Sequence, residues 1–247
     1  MQFQTLGDVM QAVLVHMEFR DEVRAEAGAM MYMTQGITMD TQMQGGLMGG
    51  LKRMMTGESM FIPFFRCTVP NGVIGFAAPT PGKVRQLELA PPNVWLCQRD
   101  SFLFCTAGID VGIAFTKRMR TGIFGGEGFI LQKLTGAGTV FIHGGGNFID
   151  FDLRPGDVLK VDTGCIVGFE QSVTYDIEFV GGFKNTLFGG EGLFTAILRG
   201  PGKAILQTLP FSRLAGRIVG STSEGSSGLG GIGGTLRDVG KIFGGDE

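Results

Sequence analysis

The sequence predicts an all-β fold made of three copies of one unit, with little helix. Three observations carry this. Most of the chain reads as short runs with period-two alternation or continuous β-branched and aromatic content, broken by Gly, Pro and Asn, the pattern of a sandwich or barrel. Glycine fills 43 of 247 positions, yet it is interleaved with Phe, Val, Ile, Leu and Met rather than gathered in Gly/Ser tracts, so the chain folds and turns often. Separate segments also repeat at one fixed offset, a signal that decides the fold before any single segment does.

Taken in order, strands are expected at 11–17, 59–69 and 73–77, then at 94–97, 102–105, 129–134 and 139–143, and then at 158–161. Short helices are expected only at 47–55, 211–219 and 236–243. The repeat sets the frame around them. Phe124-Gly-Gly-Glu-Gly, followed by Leu134, Gly136 and Gly138, matches Phe188-Gly-Gly-Glu-Gly, followed by Leu198, Gly200 and Gly202, at an offset of 64. Glu88-Leu-Ala-Pro-Pro-Asn-Val corresponds to Asp152-Leu-Arg-Pro-Gly-Asp-Val at the same offset. A more diverged copy precedes them, where Val23-Arg-Ala-Glu-Ala-Gly-Ala-Met-Met matches Leu159-Lys-Val-Asp-Thr-Gly-Cys-Ile-Val and Gly57-Glu-Ser stands for Gly-Glu-Gly.

From Val23, Trp95 and Leu159 to Glu58, Glu127 and Glu191 the separations are 35, 32 and 32 residues, so the first copy carries a three-residue insertion. The units fall at 8–82, 83–146 and 147–210. Each has too few apolar strand faces to make a dry core alone, and packing three with pseudo-threefold symmetry buries them together. The triplicated β domain is therefore placed at 1–217. Residues 218–247 contain Ser221-Thr-Ser-Glu-Gly-Ser-Ser-Gly-Leu-Gly-Gly-Ile-Gly-Gly and read as a Gly/Ser-rich flexible tail.

Charge and cysteine usage exclude several classes. Twenty-one basic and 23 acidic side chains leave a net charge of −2, which argues against a surface built wholly to hold a polyanion. Cys67, Cys97, Cys105 and Cys165 form no Cys-x-x-Cys pair and no basic and apolar leader precedes them, so reduced, mostly buried thiols in a cytoplasmic protein are expected. No apolar run approaches the ~20 residues of a membrane-spanning helix.

The motif inventory is thin. His16 and His143 are far apart and neither has a second ligand at chelating spacing, so no metal is expected. Two histidines and no Gly-x-Ser-x-Gly elbow give nucleophile chemistry little support, and no catalytic or cofactor-binding residue is assigned. The Gly-Gly-Glu-Gly runs are not followed by the helix a phosphate loop wants. Their glycines suit positive φ at a turn or bulge, with Glu58, Glu127 and Glu191 as a repeated structural turn residue. Just before those turns, Lys52, Arg53, Lys117, Arg118, Arg120 and Lys184 stand among apolar residues at equivalent points of the three units. In a threefold fold these loops share one rim. Mixed basic and apolar loops suit a lipid surface, a nucleic-acid backbone or a partner protein, and equally a subunit interface with ordinary solvated charges.

Met10-Gln-Ala-Val-Leu-Val, Val23-Arg-Ala-Glu-Ala-Gly-Ala-Met, Met43-Gln-Gly-Gly-Leu-Met-Gly-Gly-Leu-Lys-Arg, the two Phe-Gly-Gly-Glu-Gly turns and Val161-Asp-Thr-Gly occur in order. Over residues 8–210 the chain resembles the bacterial members of the family related to the altered-inheritance-of-mitochondria protein 24. The resemblance implies a β-sandwich superfamily shared with the tryptophan RNA-binding attenuation protein (TRAP), hence TRAP-like units, and a family whose mitochondrial members are linked to inner-membrane organisation. The attenuation protein closes a ring of eleven subunits with tryptophan between them and RNA outside. Its Lys-Lys-Arg arrangement has no counterpart here that can be assigned residue by residue, and fold carries over better than activity.

A non-enzymatic binding or scaffold protein is therefore the leading expectation, without cofactor, with nucleic acid disfavoured as a partner and a protein or membrane surface open. Phe102-Leu-Phe, the run 109–115, Phe141-Ile and Leu187-Phe read as apolar surface that a monomer would leave wet. Strand edges must be paired, covered or charged. Cyclic self-association is thus expected, a homotrimer first and a dimer second.

Overall fold

The structure, a computed structural model, describes residues 1–40, 62–117, 129–179 and 194–223. The chain divides into two compact units, Met1–Arg213 and Leu214–Glu247. The first holds nineteen strands among the described residues. Its first third contributes β1 (Gln2–Leu6), β2 (Ala12–Met17), β3 (Glu22–Ala25), β4 (Met30–Met33), β5 (Ile37–Asp40), β6 (Phe64–Cys67) and β7 (Gly72–Ala77). The second contributes β8 (Gly82–Leu89), β9 (Trp95–Gln98), β10 (Phe102–Thr106), β11 (Ile109–Lys117), β12 (Phe129–Gly136) and β13 (Gly138–Gly145). The last contributes β14 (Phe148–Leu153), β15 (Val158–Asp162), β16 (Ile166–Glu170), β17 (Thr174–Phe179), β18 (Phe194–Arg199) and β19 (Gly202–Gln207). Single 3-10 turns, Arg99–Ser101 and Thr163–Cys165, precede β10 and β16. One helix, α1 (Phe211–Ser223), follows.

These strands make four antiparallel sheets, in the orders β1-β2-β7-β4, β5-β6-β3-β10-β13-β8, β11-β12-β9-β16-β19-β14 and β15-β18-β17. One set of pairings recurs. β2 pairs β7 as β8 pairs β13 and β14 pairs β19. β5 pairs β6 as β11 pairs β12 and β17 pairs β18. In the β3/β6, β9/β12 and β15/β18 pairs, Val23 faces Phe65, Trp95 faces Leu134 and Leu159 faces Leu198. β4, β10 and β16 each slip register once against β7, β13 and β19, between Met30 and Tyr32, Phe102 and Phe104, and Ile166 and Gly168. Such a bulge adds twist at a defined place.

Three cores fill the spaces between sheets. The first gathers Val13, Val15, Val23, Phe65 and Phe76 with Leu103, Phe104 and Phe141 reaching in from β10 and β13. The second is built on Trp95, Cys97, Phe102, Cys105 and Leu134, with Val167 and Ile205 reaching in from β16 and β19. The third collects Leu131, Val161, Ile166, Phe169, Ile177 and Leu198. Alternation along the strands sends these residues inward, as sandwich packing requires. Phe104 stacks on Phe76 at 4.6 Å and on Phe141 at 4.4 Å between ring centroids. Gly82 and Gly145 lie where a Cβ would strike the carbonyl oxygens of Gly144 and Leu209, so only glycine permits those close approaches.

The expected strands are present within a residue or two, except that the one expected at 59–69 is Phe64–Cys67, with 59–61 outside the described residues; the helix expected at 211–219 runs on to Ser223. The helices expected at 47–55 and 236–243 fall outside the described residues. One expectation is overturned. Phe102, Leu103, Phe104, Ile109, Phe141 and Ile142 are each no more than 1% exposed, so they are core rather than wet surface. Phe102, Leu103, Phe104, Phe141 and Ile142 lie on β10 and β13, inside a long sheet, and Ile109, on the edge strand β11, packs into the second core. Leu187 and Phe188 lie outside the described residues.

Candidate functional site

The rim foreseen from the sequence falls almost wholly outside the described residues. Lys52, Arg53, Arg118, Arg120 and Lys184, and the turn glutamates Glu58, Glu127 and Glu191, are all there. Lys117 ends β11, its backbone opposite Phe129. What is placed is the strand end on either side of each stretch: Asp40 opposite Phe64, Lys117 opposite Phe129 and Phe179 opposite Phe194. Each rim stretch thus connects two strands that pair with each other at the point where it leaves them.

The titratable groups in view are held by the fold in different ways. His16 is exposed on β2. His143 is buried in β13, its Nδ1 without a hydrogen-bond partner, and burial draws its pKa down to about 4, so the ring is neutral. None of the four cysteines is in a disulfide; Cys67, Cys97 and Cys105 are buried and Cys165 is half-buried. Burial raises the Cys97 thiol strongly and pushes Cys105 up to about 12, against the nearby Arg24 cation, so neither is a thiolate nucleophile at neutral pH. Among the described residues no group of three His, Cys, Asp or Glu could hold a metal ion.

Glu26 is the most perturbed acid. Burial lifts its pKa to about 7, with Arg99 opposing and Asp100 adding to the rise. Its backbone N–H donates to Leu103 O at 2.9 Å, where the β3 and β10 strands meet. Other charges pin neighbouring segments. The Arg66 guanidinium donates to Glu22 at 2.7 Å, and Lys83 Nζ donates to Asp8 at 2.8 Å, which holds the Asp8 carboxyl below its ordinary range. Arg85 forks onto Asp150 while lying 4.5 Å over the Phe148 ring, fastening β8 to β14. Arg213 Nη2 donates to Asp162 at 3.2 Å and ties the start of α1 to the end of β15.

The feature that sequence reasoning missed is a pair of sheet edges. β4 ends the first sheet and β15 ends the last. On β4, Met31 is 56%, Tyr32 44% and Met33 37% exposed, and on β15 Val158 is 52% exposed. Three large apolar side chains in succession on an open edge are unusual, because exposed edges are ordinarily short, charged or covered. The available signal was the Met30-Met-Tyr-Met run, apolar where a protected edge would carry Lys or Pro.

Nineteen strands in four antiparallel sheets, with a single helix among the described residues, define the class as an all-β protein. The chain belongs to the AIM24 family, described as mitochondrial biogenesis AIM24, whose model matches residues 3–209. An uncharacterised protein of Streptococcus pyogenes serotype M6 is 28% identical over 224 residues, 87% of this chain and 88% of that one. An X-ray crystal structure of a Streptococcus pyogenes protein matches with a TM-score of 0.74 at 24% identity, over 89% of this chain and 99% of that chain, which shows the fold. No helix among the described residues is long and apolar enough to cross a membrane.

Proposed function

We propose that this chain is a non-enzymatic binding or scaffold protein, built of three TRAP-like sandwich units in succession and self-assembling through them, as a homotrimer first. The observation that carries the reading is the recurrence of one pairing scheme. The same strand pairs, the same facing residues Val23/Phe65, Trp95/Leu134 and Leu159/Leu198, and the same single register slip occur once in each third of the chain. Repeats of this kind bury a continuous core by stacking on neighbours and form extended presenting surfaces. Four cysteines outside any disulfide support a reducing, cytoplasmic setting.

Sedimentation velocity on the full chain at micromolar concentration tests the assembly. One species of three chains is expected, and a chain that stays monomeric overturns the reading. A second reading, attachment to an anionic membrane surface or a nucleic-acid backbone through the rim, is favoured by the hairpin ends that lead into all three basic stretches. Flotation with phosphatidylserine vesicles, comparing the native chain with one carrying Glu at Lys52, Arg53, Lys117, Arg118, Arg120 and Lys184, distinguishes it. Membrane attachment requires flotation of the native chain alone.

A further inference from the structure

Inside the chain, successive units are joined by one kind of seam, used twice. β10 pairs β3 with Thr106 opposite Val23, Cys105 opposite Arg24 and Phe104 opposite Ala25. β16 pairs β9 with Glu170 opposite Trp95, Phe169 opposite Leu96 and Gly168 opposite Cys97. The two seams have identical register. Ala107 N–H donates to Glu22 O at 3.3 Å in the first, and Gln171 N–H donates to Val94 O at 2.9 Å in the second. At each seam the incoming strand also completes the preceding core, with Leu103 entering the first and Val167 the second.

The third seam is missing. β15 is the strand that should receive a partner and β4 is the strand that should supply one, and both end their sheets. The position filled by Leu103 at 1% exposure and Val167 at 0% is filled in β4 by Met31, at 56%. Phe104 is fully buried, and Tyr32 at its position is 44% exposed. Among the described residues, the third core has none entering from a following unit. Among the described residues both halves of the seam are present, β4 apolar and β15 exposing Val158 beside Lys160, and neither has a strand along its open side.

We infer that β4 of one copy of this chain pairs antiparallel with β15 of a second copy, in the register of the two internal seams. The inference rests on the assembling-repeat reading above and names its interface. Carrying the register over sets Thr34 opposite Leu159, Met33 opposite Lys160 and Tyr32 opposite Val161. Gln35 N–H donates to the Val158 carbonyl, and Asp162 N–H donates to the Met31 carbonyl. Met31 enters the third core of the second copy. Lys160 stands where Arg24 stands, and Arg24 Nη1 donates to Ile109 O across its own seam at 3.3 Å. Lys160 of the second copy therefore meets the Ile37 carbonyl of the first. The contact is head-to-tail, so it propagates from copy to copy until rotation closes a ring.

The test mixes two single variants, T34C and L159C, under mild oxidation, with each alone as the control for the native thiols. These positions face each other at a close-spaced, non-hydrogen-bonded pair, where a cross-strand disulfide is within reach. A linked two-chain species is expected in the mixture and absent from either variant alone. Alongside it, M33K opposes two ammonium groups at Met33 and Lys160, whereas M33E opposes unlike charges at the same exposed site. M33K is expected to sediment as one chain, and M33E as the native assembly. If the chain assembles but gives no cross-link, and M33K stays assembled, this interface is overturned while the assembly survives. If the native chain is monomeric, both fail.

Discussion

Replacing Phe104 with alanine probes whether the first seam is structural. Phe104 belongs to β10, yet it is fully buried in the core made chiefly by β2, β3, β6 and β7. Its ring lies between Phe76 at 23° and Phe141 at 12° to its own plane. Removing a buried phenyl forfeits ~1.5–3 kcal/mol of transfer free energy. A residual cavity of ~80 Å³ adds ~2 kcal/mol at ~24 cal/mol per Å³, giving a loss of about 4 kcal/mol. In urea, with a slope near ~2.5 kcal/mol per M, the midpoint falls by about 1.6 M. Phe19, 56% exposed with Arg20 5.2 Å from its ring centroid, is the control, and F19A is expected to cost less than ~1 kcal/mol. Denaturation followed by circular dichroism reads both. An F104A midpoint within ~0.4 M of native, or equal to that of F19A, would refute the idea that β10 completes the first core.

Two further outcomes follow from the burial of titratable groups. Glu26 has a folded pKa near 7 against an ordinary 4.5, so below pH 4.5 both states are protonated and it contributes nothing. As pH rises from 4.5 to 7 the unfolded chain ionises first, and stability is progressively lost. E26Q should therefore raise the melting temperature at pH 8 and leave it unchanged at pH 4, with a gain of ~1–2 kcal/mol after allowing for its partial exposure. An equal shift at both values would contradict this. Titration with Ellman's reagent should find Cys165 reacting first in the native protein and Cys67, Cys97 and Cys105 only on unfolding, and four equally fast thiols would contradict their burial.

Eight of the nineteen described strands were legible because runs such as Val13, Val15 and Met17 alternate inward and are bounded by turn residues. Val23, Trp95 and Leu159, aligned with one another in the sequence, face Phe65, Leu134 and Leu198 across their strand pairs. What could not be read was exposure. Phe102-Leu-Phe-Cys and Met30-Met-Tyr-Met are equally apolar, and nothing local says which is buried. Burial there depends on whether a strand from elsewhere lies alongside: β10 has β3, and β4 has β7 on one side only. The rim cations, read from spacing, lie outside the described residues apart from Lys117.

The central claim is that the open β4 and β15 edges are two halves of one seam. Amide hydrogen exchange resolved to single residues tests it without a mutation. Ala107 and Gln171 donate across the internal seams, and Gln35 and Asp162 are the donors of the third. At micromolar concentration Gln35 and Asp162 are expected to be protected about as well as Ala107 and Gln171. This protection is expected to fade on dilution while that of the internal pair does not. Exchange of Gln35 and Asp162 at open-chain rates at every concentration would contradict it.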